Sequence, residues 1–175
     1  MAGDHDFAED LDRLVEHDYV RLVRAVALFS GTIEGAEDAV QEALARAMEQ
    51  VRKGRRIEHL GPWVVTTAFN QRRSHARRAA RQRERGGALD GRRPDAAGPD
   101  ADALGSQLLD LRAAVRSLPS RQRQVVVLHY YLDQPVSSIG DVLGIKESAV
   151  KNALHKARGS LLAALTMDNT PRSAQ

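Results

Sequence analysis

Residues 118–165 read LPSRQRQVVVLHYYLDQPVSSIGDVLGIKESAVKNALHKARGSLLAAL, a pattern that is typical of a series of short helices. Proline at 119 and at 135 suits the first turn of a helix, and Gly144 suits the left-handed residue that ends one. The pattern predicts three helices, of which the last covers residues 146–163. Because the second and third are separated by only about three residues, they form a predicted helix-turn-helix.

The last of these helices has two different faces. Val150, Leu154 and Ala157 recur at three- and four-residue intervals, which is typical of a buried stripe. The polar residues elsewhere on the helix are candidates for contacts in a major groove, which accepts an α-helix. They are Ser148, Lys151, Asn152, His155, Lys156 and Arg158. An αα-hairpin whose polar face is only solvated is the alternative interpretation.

Small residues at two positions predict how the helix-turn-helix packs. Gly140 in the first helix and Ala149 in the second would let the two helices cross closely. Ile139, Val142 and Leu143 supply a predicted buried face for the first helix.

Composition excludes several classes of protein. The 175 residues include no cysteine, which rules out disulfides, thiolate catalysis and Cys-containing zinc sites. The six histidines show no paired metal-ligand spacing, so we predict neither a metal nor a cofactor. No run of about 18 apolar residues occurs, and the acidic N-terminus lacks the apolar core of a signal peptide. We therefore expect a cytoplasmic protein without a membrane span.

Charge is distributed unevenly along the chain. Residues 1–49 hold 12 acidic side chains against four basic ones, whereas residues 50–93 hold 13 basic against three acidic. Residues 94–175 are nearly balanced, and the net charge of the chain is only +3. This division predicts a polyanionic partner for the middle of the chain and a basic or amphipathic protein surface as partner for the front.

Two helices are predicted before the basic segment. Apolar residues keep a helical period over residues 7–29, and Thr32 is a predicted N-cap for a second helix over residues 33 to about 51. Met48 falls on the apolar face of that second helix. Acids in its first turns, such as Asp38, suit the positive end of the helix dipole, which alone would account for them.

The basic segment consists of a loop and a helix. Glycines and Pro62 mark residues 51–62 as a loop, and Pro62 can open the helix that follows. The first half of this helix is apolar, and residues 72–85 include seven arginines. Clustered arginines repel one another, and phosphates of DNA or RNA would relieve the repulsion. Asn70 and Gln71 lie at the changeover, where polar side chains can reach bases.

Residues 86–106 separate two groups of predicted helices. They are rich in Gly, Ala, Asp and Pro and have few apolar side chains, which is typical of a flexible linker. The predicted fold class is therefore all-α, with two small helical domains at residues 7–85 and 107–165. The second domain is predicted to have four helices, including one that begins near residue 107.

Three motifs in this order resemble the extracytoplasmic-function sigma factors, the two-domain class of the sigma-70 family of RNA polymerase. AEDAVQEALARAM, residues 36–48, resembles the region 2 helix that binds the polymerase clamp. GPWVVTTAFNQRRSHARR, residues 61–78, resembles the helix that melts and reads the minus-10 element. Residues 118–158 resemble region 4, which binds the minus-35 element and the polymerase flap.

The resemblance implies three sets of site residues. The clamp-binding set is Asp38, Gln41 and Glu42. The minus-10 set, which would hold the non-template single strand and a base flipped from it, is Arg55, Arg56, His59, Trp63, Asn70, Arg73 and Arg77. Trp63 either packs in the core or contacts a base. The groove-facing residues named above would contact the minus-35 duplex.

The resemblance also implies a function and further partners. The chain would act as an alternative sigma factor without catalytic activity, binding core RNA polymerase and joining the nucleoid with it. An anti-sigma factor would cover both domains. Ser138, Gly140, Ala153 and Ser74 depart from the family pattern, in which position 138 is usually Glu and position 140 usually Ala.

Two other functions are weighed against this one. A stand-alone helix-turn-helix regulator would bind duplex DNA without polymerase, but it leaves the acidic helix and the loop before Trp63 without a role. A nuclease would use Asp38 and Glu42, which lie four residues apart on one predicted helix. That arrangement offers no third ligand and no base.

Overall fold

The computed structural model describes residues 2–30, 33, 35–85 and 106–168, and no strand occurs within these ranges. Its helices are α1 (Ala2–Arg13), α2 (Tyr19–Ser30), α3 (Ala36–Arg52), α4 (Leu60–Arg85), α5 (Ser106–Ser117), α6 (Ser120–Val126), α7 (Val136–Leu143) and α8 (Glu147–Asp168). One π-helical turn, Leu14–Asp18, joins α1 to α2, and another, Val127–Tyr131, extends α6. Helices α1 to α4 belong to a first compact unit and α5 to α8 to a second. The all-α prediction is confirmed.

The first unit is built around three helices. Helices α2, α3 and α4 contact one another. The rings of Phe29 on α2 and Phe69 on α4 stack with their centroids 4.1 Å apart. Four buried alanines lie on the inner side of α3, where their small side chains let the neighbouring helices approach. They are Ala36, Ala39, Ala43 and Ala47, joined by Ala25 on α2 as a fifth small residue of the same core.

Helix boundaries and burial in the first unit differ in part from the predictions. Helix α3 begins at Ala36 rather than at residue 33, because Gly35 before it adopts a left-handed φ of 71°. The predicted N-cap, Thr32, lies outside the described residues. Met48 is 41% exposed, because the buried stripe of α3 passes through Ala47 and turns Met48 outward. Helix α4 begins at Leu60, so Pro62 lies within its first turn.

The second unit has its core between α6, α7 and α8. Val125, Leu128, Ile139 and Val150 have no exposed surface. The two prolines, predicted in the first turn of a helix, each lie one residue before one: Pro119 before α6 and Pro135 before α7. Val142 and Leu143, predicted to be buried with Ile139, are only half-buried; Ser138 and Gly140 are buried instead.

Arg123 holds the end of α5 against α6. Its Nη2 donates to the carbonyl of Leu118 at 3.0 Å and to the carbonyl of Arg116, which lies in the last turn of α5. These carbonyls have no partner within the helix, and a guanidinium satisfies them with its charge. Burial, with a smaller contribution from Arg116, lowers the pKa of Arg123.

The turn between α7 and α8 depends on two glycines. Gly144 ends α7 with a φ of 63°, as its position predicts. The amide of Ile145 donates to the carbonyl of Gly140 at 2.9 Å, which folds the turn back on α7. A Cβ at Gly140 would lie 2.9 Å from the carbonyl oxygen of Ile145, closer than real Cβ contacts. Gly140 therefore makes the predicted close approach, whereas Ala149 is exposed and does not.

We expect Gly140→Ala to destabilise the second unit by about 1–2 kcal/mol, because the added methyl must displace a backbone carbonyl. The matched control is Gly159→Ala, since a Cβ at that exposed position in α8 meets nothing within 4 Å. The control should gain up to about 1 kcal/mol from helix propensity. Amide hydrogen exchange over residues 120–160 of the full chain measures both variants. Equal protection in the two variants would contradict the close approach at Gly140.

Candidate nucleic-acid interface

The clamp-binding set predicted from the sequence lies on the solvent side of α3. Asp38, Gln41 and Glu42 are all exposed. Gln41 donates to the hydroxyl of Tyr19 on α2 at 3.3 Å, and the same hydroxyl donates to Glu37 at 3.3 Å. The structure thus brings the three predicted residues together. The contribution of Tyr19, which holds Gln41 from another helix, was not predicted from the sequence.

Glu42 forms an ion pair within its own helix. Arg46 donates to its carboxylate at 2.6 Å, and both side chains are about half exposed, at 50% and 49%. An exposed pair of this spacing is worth only about 0.3–0.5 kcal/mol. Glu49 forms a similar pair with Lys53 at 2.5 Å, and this hydrogen bond lowers the pKa of the Glu49 carboxyl. Replacing such an intrahelical ion pair by one with a charged residue of a partner protein therefore costs little free energy.

The loop before α4 has a fixed backbone at its start. Gly54 adopts a φ of 76°, and the amide and guanidinium of Arg55 both bond to Gln50, at 3.0 and 2.8 Å. Arg56 is exposed, whereas His59 is half-buried and its carbonyl accepts the amide of Trp63 at 2.9 Å. The side chains of Arg55 and Arg56 therefore face solvent beside the start of α4.

Helix α4 buries one side and presents the other to solvent. Trp63, Asn70 and Arg77 recur every seven residues, and Arg73 lies between the last two, so these predicted minus-10 residues share a stripe about 21 Å long. Asn70, Arg73 and Arg77 are exposed, and Trp63 is half-buried. We call the three exposed residues the arginine face. Trp63 has part of its surface free for a contact with a base and part in the core.

One arginine of α4 belongs to the fold instead. Arg72 is half-buried, and its guanidinium lies so close to Gly35 that a Cβ there would overlap Nη1. Arg72 thus reaches the start of α3, while the arginine face points away from it. Residues 60–82 of α4 include no acidic side chain, so no carboxylate alternates with the cations along this part of the helix. The positive potential that results favours a polyanion.

A cleft of about 290 Å³ lies between α3 and α4, next to the arginine face. It is lined by Arg46, Thr67, Asn70, Gln71, Ser74, His75 and Arg78. Gln71 is 7% exposed, and neither atom of its amide has a hydrogen-bond partner among the described residues. The sequence showed that the helix changes from apolar to arginine-rich at Asn70 and Gln71. The cleft could not be predicted from the sequence, because it forms only where α3 lies beside α4.

The six predicted minus-35 residues of α8 are all exposed and lie opposite the buried Val150, Leu154 and Ala157. We call Ser148, Lys151, Asn152, His155, Lys156 and Arg158 the groove face. Lys151 pairs loosely with Glu147 at 3.5 Å. The face carries two lysines, an arginine and a histidine, together with the polar Ser148 and Asn152. It has the composition that major-groove contacts require.

Arg158, at one edge of the groove face, is held by an aromatic residue. Its Nε donates to the hydroxyl of Tyr130 at 2.5 Å, and its guanidinium lies 5.7 Å from the centre of the Tyr130 ring. Tyr130 belongs to the π-helical turn after α6, and sequence periodicity gives no sign of this contact. The contact fixes the direction of Arg158 before any ligand binds.

The described residues offer neither a metal site nor a membrane-spanning helix. They contain no group of three or more His, Cys, Asp or Glu side chains that could hold a metal ion. None of the helices in the described ranges is long and apolar enough to cross a membrane.

Comparisons with known proteins agree with the two-unit structure. The family model of sigma-70 region 2 matches residues 14–82, and that of sigma-70 region 4 matches residues 108–161. The RNA polymerase sigma factor SigL of Mycobacterium tuberculosis, of the extracytoplasmic-function (ECF) type, is 32% identical over 138 residues, 78% of this chain and 77% of SigL. EcfG of Rhodopseudomonas palustris, also an ECF sigma factor, is 29% identical over 155 residues, 83% of this chain and 80% of EcfG. SigE of Mycolicibacterium smegmatis, a third ECF sigma factor, is 30% identical over 163 residues, 91% of this chain and 63% of SigE.

Two solved structures with the same fold are complexes with other proteins. The sigma factor RpoE of Bartonella quintana, in complex with the anti-sigma factor NepR, has a TM-score of 0.67 and 23% identity, over 94% of this chain and 99% of RpoE. CnrH in complex with the cytosolic domain of CnrY has a TM-score of 0.64 and 22% identity, over 93% of this chain and 91% of CnrH. With region 2, region 4 and a SigL relative in agreement, the chain belongs to the extracytoplasmic-function sigma factors of the sigma-70 family, which direct RNA polymerase to promoters.

Proposed function

We propose that this sigma factor uses three surfaces: the clamp-binding set on α3, the loop before α4 with the arginine face, and the groove face of α8. Residues 7–85 act as region 2, residues 86–106 as the linker and residues 107–165 as region 4. The observation that carries the proposal is the contrast between adjacent helices, because the solvent side of α3 is acidic, whereas residues 60–82 of α4 include arginines and no acid. Opposite charges on neighbouring helices favour different partners.

Asp38, Gln41 and Glu42 are the proposed contacts with the polymerase clamp. Their support is their exposure on one side of α3 and the weak pairing of Glu42 with Arg46, which a polymerase cation can replace. Region 4 would contact the polymerase flap. Complementary charge of this kind speeds association and sets the register of docking.

The opened minus-10 strand is proposed to lie along the loop before α4 and the arginine face. Arg55 and Arg56 would contact phosphates at the loop, His59 and Trp63 would flank a flipped base, and the arginine face would follow the backbone. Flipping a base out of the stack costs a few kcal/mol, which phosphate contacts and stacking must offset. The exposure of these arginines and the half-exposed ring of Trp63 support the assignment.

Co-purification tests whether the chain engages polymerase. The tagged full-length chain, recovered from extract of its own cells, should bring the core polymerase subunits with it, identified by mass spectrometry. A variant with Asp38, Gln41 and Glu42 changed to Ala should recover them poorly. Absence of core subunits in both samples would contradict the proposed docking.

Lys151→Ala tests the groove face of α8. Because one phosphate contact is lost, we expect weaker binding to the minus-35 duplex and a log–log salt slope smaller by about 0.9. Arg121→Ala is the matched control, since it removes one exposed cation from α6 in the same unit. Fluorescence anisotropy at several salt concentrations measures both. An identical slope for Lys151→Ala and the unaltered chain would contradict the assignment.

We propose that the protein has no catalytic activity, acts in the cytoplasm and joins the nucleoid when bound to polymerase. An anti-sigma factor is a further proposed partner. The two structural neighbours support it, because RpoE was solved with the anti-sigma factor NepR and CnrH with the cytosolic domain of CnrY. Such a partner would cover the surfaces that polymerase needs.

A further inference from the structure

An exposed tyrosine outside α8 holds the arginine at one edge of the groove face. The Nε of Arg158 donates to the hydroxyl of Tyr130 at 2.5 Å, and the guanidinium carbon lies 5.7 Å from the centre of the Tyr130 ring. This bond uses one of the five N–H donors of a guanidinium and leaves the four on Nη1 and Nη2 for another acceptor. Arg158 is therefore held in one direction while most of its donors remain available to a ligand.

The contact with Tyr130 holds Arg158 without cancelling its charge. Lys151, on the same face, pairs with the carboxylate of Glu147 at 3.5 Å, which offsets part of the lysine charge. A tyrosine hydroxyl is neutral, so its bond leaves the charge of the Arg158 guanidinium intact. Both side chains are exposed, Tyr130 at 50% of its surface. An anion can thus approach the guanidinium from solvent.

The ring of Tyr130 is itself held in place. Tyr130 lies in the π-helical turn Val127–Tyr131, and turns of this kind are frequent at functional sites. The ring of His129 meets it edge to face, with the two centroids 4.8 Å apart. Nδ1 of His129 in turn donates to the carbonyl of Gln134 at 2.9 Å. A chain of contacts therefore runs from the backbone before α7 through two rings to the guanidinium of Arg158.

The position of Arg158 along α8 indicates which part of a duplex it contacts. The helix begins at Glu147, and Arg158 lies about 16 Å farther along its axis. In a recognition helix the residues near the N-terminus contact base edges, and those toward the C-terminal end contact the DNA backbone. A phosphate is also an acceptor that a guanidinium binds with two parallel hydrogen bonds. The ligand expected for Arg158 is therefore a backbone phosphate.

We infer that Tyr130 is a positioning residue, which holds the guanidinium of Arg158 toward one backbone phosphate of the minus-35 duplex. The inference rests on the proposed contact of the groove face with duplex DNA and adds a residue from outside α8. An unsupported arginine samples many rotamers, and ordering it at the moment of binding weakens the affinity. Because Tyr130 orders Arg158 in the free protein, that loss of freedom precedes binding.

A double-mutant cycle on duplex binding tests the inference. The unaltered full-length chain, Tyr130→Phe, Arg158→Ala and the double variant are compared by fluorescence anisotropy, with a minus-35 duplex from a promoter that the chain transcribes. Tyr130→Phe should weaken binding about two- to tenfold with an unchanged log–log salt slope, since it removes a hydroxyl and no charge. Arg158→Ala should weaken binding about tenfold or more and lower the slope by about 0.9. In the Arg158→Ala background, Tyr130→Phe should have no further effect.

The control and the outcomes separate positioning from a structural role. Tyr131→Phe is the matched control, because it removes a hydroxyl from the same π-helical turn, and it should keep the affinity of the unaltered chain. Amide hydrogen exchange over residues 120–160 should not change in Tyr130→Phe. If Tyr130→Phe leaves binding unaltered, or weakens it equally with and without Arg158, the positioning role is overturned. If the unaltered chain does not bind the duplex, the proposed groove face itself fails, and the inference fails with it.

Discussion

The Glu42→Arg variant is expected to lose affinity for core RNA polymerase by roughly a hundredfold. The change places a cation where the proposed clamp contact needs a carboxylate, and juxtaposed like charges at an interface cost several kcal/mol. About 3 kcal/mol corresponds to the hundredfold loss. Within α3 the new side chain also faces Arg46 in place of an ion pair, which costs only about 0.5 kcal/mol. Titration of fluorescent core polymerase measures the affinity.

Glu49→Arg is the matched control for this experiment. Glu49 lies on the same helix, is similarly exposed and pairs with Lys53, so the variant has the same change in charge and loses a similar pair. It should retain polymerase binding nearly unchanged. Glu42→Arg should also retain binding of the second unit to minus-35 duplex. Equal losses in both variants, or in both assays, would contradict the docking surface.

The double variant Arg73→Ala, Arg77→Ala is expected to impair binding to the opened minus-10 strand. Each arginine contributes a log–log salt slope near 0.7 on single-stranded DNA, so the slope should fall by about 1.4. At low salt we expect a loss of roughly tenfold or more, because these residues lie on the exposed stripe of α4. Binding of the assembled polymerase to a fork template with a single-stranded minus-10 segment measures it.

A control with equal loss of charge separates contact from the general field of the protein. Arg13→Ala, Arg24→Ala removes two exposed arginines from α1 and α2 of the same unit. It should leave the salt slope almost unchanged. If the two double variants behave alike, the arginine face acts only through net charge.

The helix-turn-helix was predicted well because its signals are local. A proline before α7 and a left-handed glycine after it fix where that helix begins and ends, whatever surrounds them. The buried stripe of α8 follows from its period in the same way. The prediction of a close approach at Ala149 was wrong, because close approach depends on which neighbour faces a residue. Here the carbonyl of Ile145, in the turn, faces Gly140.

Boundaries in the first unit were less predictable. The sequence predicted Thr32 as the N-cap of α3, whereas the left-handed Gly35 precedes the helix and lies against the guanidinium of Arg72, a residue distant in sequence. The exposure of Met48 likewise depends on which sides of α3 its neighbours cover. The helical period over residues 7–29 predicted the continuous course from α1 to α2. Single π-helical turns have no sequence period of their own, so the turn at Leu14–Asp18 could not be predicted.

The side of each helix on which a candidate site residue lies was predictable from the sequence, but its contacts with other helices were not. Spacing along α3, α4 and α8 placed the acidic, arginine and groove residues on exposed sides. The pairing of Arg158 with Tyr130 and the burial of Gln71 depend on helices far apart in sequence. A periodic pattern says which side a residue occupies and nothing about the residue opposite.

Run-off transcription from genomic DNA by purified core polymerase tests the central claim most directly. With the unaltered chain, sequencing of the transcripts should find a set of defined start sites that core polymerase alone does not use. Glu42→Arg should abolish that set, and Arg73→Ala, Arg77→Ala should reduce it strongly. If core polymerase gives the same transcripts with and without the chain, the division of labour between an acidic docking face and an arginine face is wrong.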